Sequence, residues 1–370
     1  MSIEKIEKLK NSLNILTSNK GKVFFFVPNV STPSSAVYEI YFHANVLKND
    51  GRNVVMLIED DFQTPIWIES SLLDIKHESI EKTKLSVAPE DIMIIPEIYT
   101  NIMEQTRNLP CIRITLVQSV DFMLNGLVNG SEYSEFGIEN LIVASERIKD
   151  VINNNFGRFK YNIESYKIGI PDYFKKSNKL KKPIISIIGR NQNEMGKIVK
   201  LFYLKYPQYS WVTFDPMITN SNPPQQLDRQ SFAERLSENF ATVWVDRISS
   251  FGTLPLEAMR VGNIVIGLIP DLAPEYLFNE ENKFILESGS WVENIYDLPS
   301  MIAETLSMYL DDSISQEQYN TMYDISMKYT QENSKTELLN IYKKFINDRV
   351  VIIERTIKQL ENNIAENNEK

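Results

Sequence analysis

Along the chain, short apolar runs alternate with stretches whose apolar positions recur every three or four residues. The first run, Val23 to Val27 in KVFFFVPNV, is too short for a helix and is bounded by Lys22 and Pro28, so it predicts a strand buried on both faces. STPSS then supplies Ser and Pro as helix-start residues. AVYEIYFHANVLKNDGRNVVML predicts a helix of period near 3.6, a stop at Gly51 and a second apolar strand. Together these make one βαβ unit. The alternation continues with DIMIIP, CIRITLVQ and NLIVAS as strands, and with TNIMEQTRNL and ERIKDVINNNFG as helices. Strands alternating with helices predict a parallel sheet covered on both faces.

The polar, Lys-rich stretch FKKSNKLKKP at 174–183 interrupts the pattern, which then restarts. PIISIIG, YSWVTF, ATVWV and NIVIGL predict strands, and EMGKIVKLFYLKY, QSFAERLSENF and TLPLEAMRVG predict the helices between them. The expected organisation is an α/β domain at 1–173, a linker at 174–183, a second α/β domain at 184–335 and a long helix at 336–370. That last segment contains neither Gly nor Pro, and Ile346, Val350, Ile353, Ile357, Leu360 and Ile364 follow a heptad spacing. The stripe has two possible fates, packing along the body of its own chain or pairing in a homodimer. The N-terminal stretch MSIEKIEKLKNSLNILTSNKGK mixes Glu with Lys and lacks the apolar core of a secretory signal, so it predicts a short amphipathic helix.

Composition narrows the chemistry. A length of 370 residues suits two domains of roughly 150 to 180 residues each. No apolar run approaches the roughly 20 residues that span a bilayer. A single cysteine, Cys111, leaves no internal disulfide framework and no Cys-based zinc cluster, which points to a reducing cytoplasm. His43 and His77 are the only histidines, so a His-rich metal site or a Ser-His-Asp triad has little raw material, and metal-independent chemistry is favoured. The net charge of −10 disfavours a broad nucleic-acid surface, with KKSNKLKK at 175–182 as the one local basic stretch.

Neither half carries a lysine-bearing phosphate loop or a G-x-G-x-x-G fingerprint. Two other stretches are candidates. In IIGRNQNEMGK the strand runs into Gly189 and Arg190, with Lys197 one to two turns beyond. Loops at the carboxyl ends of parallel strands form the ligand crevice, so the two cations would either converge on a diphosphate there or remain solvated. In SSFGTLPLEAMRVG, small residues precede a helix with Pro255 in its first turn, where backbone N–H groups face an anion. Glu257 would then either interact with the positive helix end or accept both hydroxyls of a ribose.

SSFGTLPLEAMRVGNIVIG resembles the signature of retaining glycosyltransferases of the GT-B fold, especially glycosyltransferase family 4: an acid, seven residues, then a second acid before Ala-Met and a Gly. The resemblance implies two Rossmann-like domains facing a cleft. It makes Glu257 the acid that holds the nucleotide's ribose, and makes Ser250, Phe251, Gly252 and Thr253 part of the turn that approaches sugar and diphosphate. Ser249 stands where the family's first acid contacts the transferred sugar, and Asp246, three residues earlier, is a candidate substitute carboxylate. IIGRNQNEMGK is similar to the family's Gly-Arg…Lys element, with Arg190 in its place and Lys197 across a longer loop; these cations neutralise the departing diphosphate. YKIGIPDYF at 166–174 is similar to the segment that closes the first domain. NVSTPSSAVYEIYFHANVLKNDGRNVVML resembles the acceptor-side loop and helix, with Ser34 and Ser35 where glycines are usual, and NLIVASERIKDVI resembles a further strand and helix of that half.

The implied activity is transfer of a sugar from a UDP- or GDP-sugar to an acceptor, with retention and with no cofactor besides the donor. Two other readings stand beside it: a degenerate GT-B protein that binds a partner or glycan, and a transferase acting on a modified nucleic-acid base. No motif identifies the acceptor; 60–70 and 131–137 are the best candidates for loops facing the cleft.

Overall fold

The computed structural model describes residues 2–368 apart from 19, 31, 83–85, 129, 179, 219–226, 248–250 and 280. The first sheet has seven parallel strands: β1 (Lys22–Phe26), β2 (Asn53–Ile58), β3 (Lys76–Ser79), β4 (Ile92–Pro96), β5 (Ile112–Val117), β6 (Asn140–Val143) and β7 (Asn162–Ser165), in the order β3-β2-β1-β4-β5-β6-β7. The second has five, also parallel: β8 (Lys182–Gly189), β9 (Thr213–Asp215), β10 (Asn239–Val245), β11 (Ile264–Leu268) and β12 (Ser290–Val292), in the order β12-β11-β10-β8-β9. This is the expected α/β architecture of two doubly wound sheets with a long C-terminal helix.

The central strands are apolar because helices cover both faces of each sheet. β4 and β5 are buried along their whole length, as are β10 and β11. The strands that the pattern does not predict, β3, β7 and β12, all lie at sheet edges. They read KHES, NIES and SWV, short sequences with at most one or two apolar residues. An edge strand has one bonded neighbour and needs no continuous apolar run.

Each sheet has one place where the strand order reverses, and there the loops beyond the carboxyl ends diverge to leave a crevice. In the first sheet it lies between β1 and β4, registered Val23 to Ile92. In the second it lies between β8 and β10, whose last residues Gly189 and Val245 are paired. A Cβ on Gly189 would run into the Val245 carbonyl oxygen, so this glycine permits the close approach of the two strands.

The helix Gln331–Asn368 ties the halves together. It begins beside the second domain, where Ile170 N–H donates to Tyr329 O at 2.8 Å, and then lies against the helices Ser35–Asn49 and Ser2–Thr17 and against β5. Ile346, Ile353 and Ile357 of the heptad stripe are buried, and Val350, Leu360 and Ile364 pack against the same core. Each such side chain contributes about 1.5–3 kcal/mol if fully buried. The stripe is therefore packed within the chain, its outer end held by the Lys10–Glu361 ion pair at 2.8 Å. Among the described residues, no helix is long and apolar enough to cross a membrane.

Candidate active site

On the second-domain side, the crevice between β8 and β10 brings Arg190 and Asp246 together. Arg190 Nε donates to Asp246 Oδ2 at 3.2 Å, and its guanidinium lies 5.1 Å from the ring of Phe122, which belongs to the first-domain helix Val120–Gly126. Arg190 is about half exposed whereas Asp246 is largely covered. The ion pair thus aims a cation at the cleft from a buried anchor. Asn191 caps the next helix, Gln192–Lys205, by accepting from the N–H groups of Asn193 and Glu194 at 3.1 and 3.3 Å. Lys197 is exposed on that helix, in a shallow groove with Glu194, Leu201 and Tyr296. Six residues of helix beyond Asn191 amount to about 9 Å of rise, which places Lys197 farther along the helix axis than Arg190.

Ser249 and Ser250 lie outside the described residues. The turn becomes defined at Phe251, which is buried edge-on to Tyr276 and in contact with Tyr329, at ring separations of 5.6 and 5.5 Å. Gly252 follows with φ of 69°, and a Cβ there would press on the Trp244 ring at 2.9 Å. Tyr276 donates its hydroxyl to Gly252 O at 2.6 Å. Burial raises the Tyr276 hydroxyl far above its ordinary pKa, so it stays a donor. These contacts hold the turn that leads into the helix Thr253–Arg260.

Glu257 lies in the second turn of that helix, on its buried side, and its partner is Arg229. Arg229 Nη2 donates to Glu257 Oε1 at 2.6 Å, with only 13% and 4% of the two side chains exposed. This pairing replaces the surface helix-end interaction as the structural account of Glu257. Arg229 opens the helix Arg229–Glu238, which Asp228 caps by accepting from Ser231 N–H at 2.9 Å. Around it stand Tyr38 of the helix Ser35–Asn49, 4.3 Å from ring centre to guanidinium carbon, Phe174 at 5.5 Å, and the Tyr173 hydroxyl at 3.4 Å from Nε. Its backbone N–H reaches Trp67 O of the 60–70 loop at 3.3 Å. Burial opposes the charge on Arg229, but the Glu257 carboxylate and the two tyrosines more than offset this, and its pKa is raised.

Arg229 was not among the residues singled out by sequence, although one signal pointed to it. A cation as the first residue of a helix sits at the positive end of the helix dipole, and so needs an acid elsewhere.

On the first-domain side, Ser34 caps the helix Ser35–Asn49, accepting from Val37 N–H at 3.4 Å, and Ser35 is exposed. Behind them Glu39 is buried, with the Tyr166 hydroxyl donating to Oε2 at 3.4 Å. Burial pushes the Glu39 carboxyl up to about 8 against the pull of Arg229. Glu97, at the end of β4, is also buried and pushed up to about 7, although it accepts from Gln118 N–H at 3.1 Å. His43 is buried against Tyr342, with its pKa lowered by burial to about 3, so the ring is neutral. Cys111 is buried and its thiol is pushed up to about 11.

Of the two loops expected at the cleft, 60–70 reaches the second domain through Trp67. In 131–137, Arg113 near the start of β5 binds the carbonyls of Phe136 and Gly137, and so holds that loop toward the opposite end of the sheet. Among the described residues, no three His, Cys, Asp or Glu side chains gather as a metal site requires.

No family model and no curated protein sequence matches this chain. Solved structures do match, at low identity. Sucrose-phosphate synthase from Thermosynechococcus elongatus superposes with a TM-score of 0.61 at 13% identity, covering 89% of this chain and 100% of that one. HepE from Anabaena, solved in complex with UDP-glucose, gives 0.59 at 10% identity, covering 87% and 99%. An alpha-glucosyltransferase solved with UDP and a 13-mer DNA containing an HMU base gives 0.55 at 10% identity, covering 88% and 99%. The fold of this chain is the one these glycosyltransferases share, the GT-B fold.

Proposed function

We propose that this chain is a glycosyltransferase of the family 4 type, which moves a sugar from a UDP- or GDP-sugar to an acceptor bound on the first domain. The observation that carries this reading is the convergence, at one strand-order reversal, of Arg190, the Gly252 turn, a helix N-terminus and Glu257. Arg190 and the helix-start amides stabilise the negative charge that grows on the diphosphate as the bond from sugar C1 breaks. Lys197 would add to this field from farther along its helix. Glu257 accepts the ribose hydroxyls. The bond-breaking electron pair stays on the leaving phosphate oxygen, the acceptor oxygen bonds to C1 from the same face, and its proton passes to the leaving phosphate. Such a step retains configuration and uses neither a protein nucleophile nor a metal. Ser249 and Asp246 set the sugar preference in this reading, and the compartment is the cytoplasm.

A screen of UDP- and GDP-sugars for release of the free nucleotide, read by mass spectrometry, tests the proposal without knowledge of the acceptor. Release from at least one donor, lost in Arg190→Ala, is the expected result. The Arg229–Glu257 pair favours a second reading, a protein whose ribose acid has become structural and which binds a partner or glycan. Absence of thermal stabilisation by every nucleotide tried would favour it. A DNA acceptor is disfavoured by the carboxylates on the first-domain rim, where Glu59, Asp60 and Asp61 are exposed.

A further inference from the structure

Arg229 is held more completely than a surface cation needs to be. Its Nη2 is on Glu257, its Nε on Tyr173, and its guanidinium carbon lies over the rings of Tyr38 and Phe174. A buried pair of this kind gains little stability over apolar residues of the same volume, because both charges lose their water. What it does supply is a carboxylate fixed in direction. A pair of ribose hydroxyls is recognised by such an oxygen pair only if the carboxylate neither rotates nor protonates. Arg229 donates to Oε1, and the ribose hydroxyls are assigned to Oε2. The guanidinium is in turn wedged by a ring from the other half, since Tyr38 lies on the first-domain helix and receives a hydrogen bond at 3.1 Å from the Gln331 amide at the start of the long helix.

We propose that Arg229 is the positioning residue for the donor's ribose, acting through Glu257, and that Tyr38 holds it in place across the cleft. Ribose recognition in the second domain then depends on the contact between the two halves. This inference rests on the nucleoside-diphosphate reading of the site.

The test compares binding of UDP with 2′-deoxy-UDP, and of GDP with 2′-deoxy-GDP, by titration calorimetry on the full chain. Wild type is expected to prefer the ribonucleotide of one base by at least about tenfold, the scale of one hydrogen bond to a charged group. Arg229→Met should bring that ratio close to one, while Arg190 and the helix start keep residual affinity for the diphosphate. Arg229→Lys, which keeps the charge but not the planar fork, should restore part of the ratio, and Tyr38→Leu should give an intermediate value. A residue that only supported the fold would lower the melting temperature and leave the ratio unchanged. An unchanged ratio in folded Arg229→Met overturns the proposal and leaves the nucleotide reading intact. If that variant does not fold, an unchanged ratio in Arg229→Lys decides in the same direction, and an unchanged ratio in Tyr38→Leu overturns the cross-cleft part. Wild type that binds none of the four nucleotides overturns both the reading and the inference.

Discussion

The two strand-order reversals share a topology but carry opposite electrostatics. At the end of β8 and β10 stand Arg190, the Gly252 turn and the start of a helix, with Arg229 behind them. At the end of β1 and β4 stand Glu39 and Glu97, buried and pushed up to about 8 and about 7, with Glu59, Asp60 and Asp61 outside. Parallel strands with flanking helices create a crevice wherever their order reverses, whatever residues line it. The residues at the strand ends then decide what enters. One side of this cleft presents cations and a helix start to an anion, and on the other burial favours the neutral form of the inner carboxyls.

The largest expected effect lies at the Arg229–Glu257 pair within the second domain. Glu257→Ala leaves Arg229 buried and unpaired, and should destabilise the protein by about 3–5 kcal/mol, measured by urea unfolding. Donor-dependent nucleotide release should be lost with it. A loss below about 1 kcal/mol would mean that solvent reaches Arg229 and screens its charge.

Next comes the acidic side. Burial raises the Glu39 carboxyl from its ordinary 4.5 to about 8, so between those values the folded chain holds a proton that the unfolded chain has released. Stability from this group is therefore full below about 4.5 and falls through the window up to about 8, at about 1.4 kcal/mol per pH unit. Glu97 adds a slope of the same sign up to about 7. Glu39→Gln keeps the shape and an acceptor for Tyr166 but cannot ionise. It should flatten the decline and be more stable than wild type at pH 8. An equal slope in both proteins, from unfolding curves at several pH values, would place the Glu39 carboxyl in water.

Gly252→Ala follows. A β-carbon at φ of 69° that also presses on Trp244 should cost about 1–3 kcal/mol and displace the turn on which the donor rests. Its expected signature is a fall in donor affinity larger than that of a variant equally destabilised elsewhere in the same sheet.

The sequence announced the layered fold because the central strands and covering helices must be apolar at fixed periods. It was silent where that demand lapses, at the edge strands β3, β7 and β12. The turn at Phe251 and Gly252 was also legible, since a helix start after small residues is a local event. Partners far apart in sequence were not. The Arg229–Glu257 pair spans 28 positions and its Tyr38 wedge lies in the other domain, so no spacing rule connects them. Lys197, read from its position after a strand as a second cation for the diphosphate, lies farther along the helix Gln192–Lys205. The heptad stripe was legible as a stripe, while its cover, the helix Ser2–Thr17, came from the far end of the sequence.

The smallest expected effect separates holding from charge on the anion-binding side. Asp246→Ala removes the anchor of Arg190 but leaves the cation in place. Because Arg190 is about half exposed and its pair is screened by water, stability should change by no more than about 0.5 kcal/mol. Donor affinity should fall a few-fold, because the guanidinium must then be ordered by the diphosphate itself. Asp246→Asn, which still accepts a hydrogen bond, should recover most of the loss. Arg190→Ala should lose more than either, because it removes the charge itself and not only its orientation. If Asp246→Ala instead abolishes sugar release while leaving affinity for the bare nucleoside diphosphate untouched, then Asp246 contacts the sugar and stands in for the acid that Ser249 lacks. Calorimetry with the diphosphate and mass spectrometry with the sugar donor, run on the same preparations, distinguish the two roles.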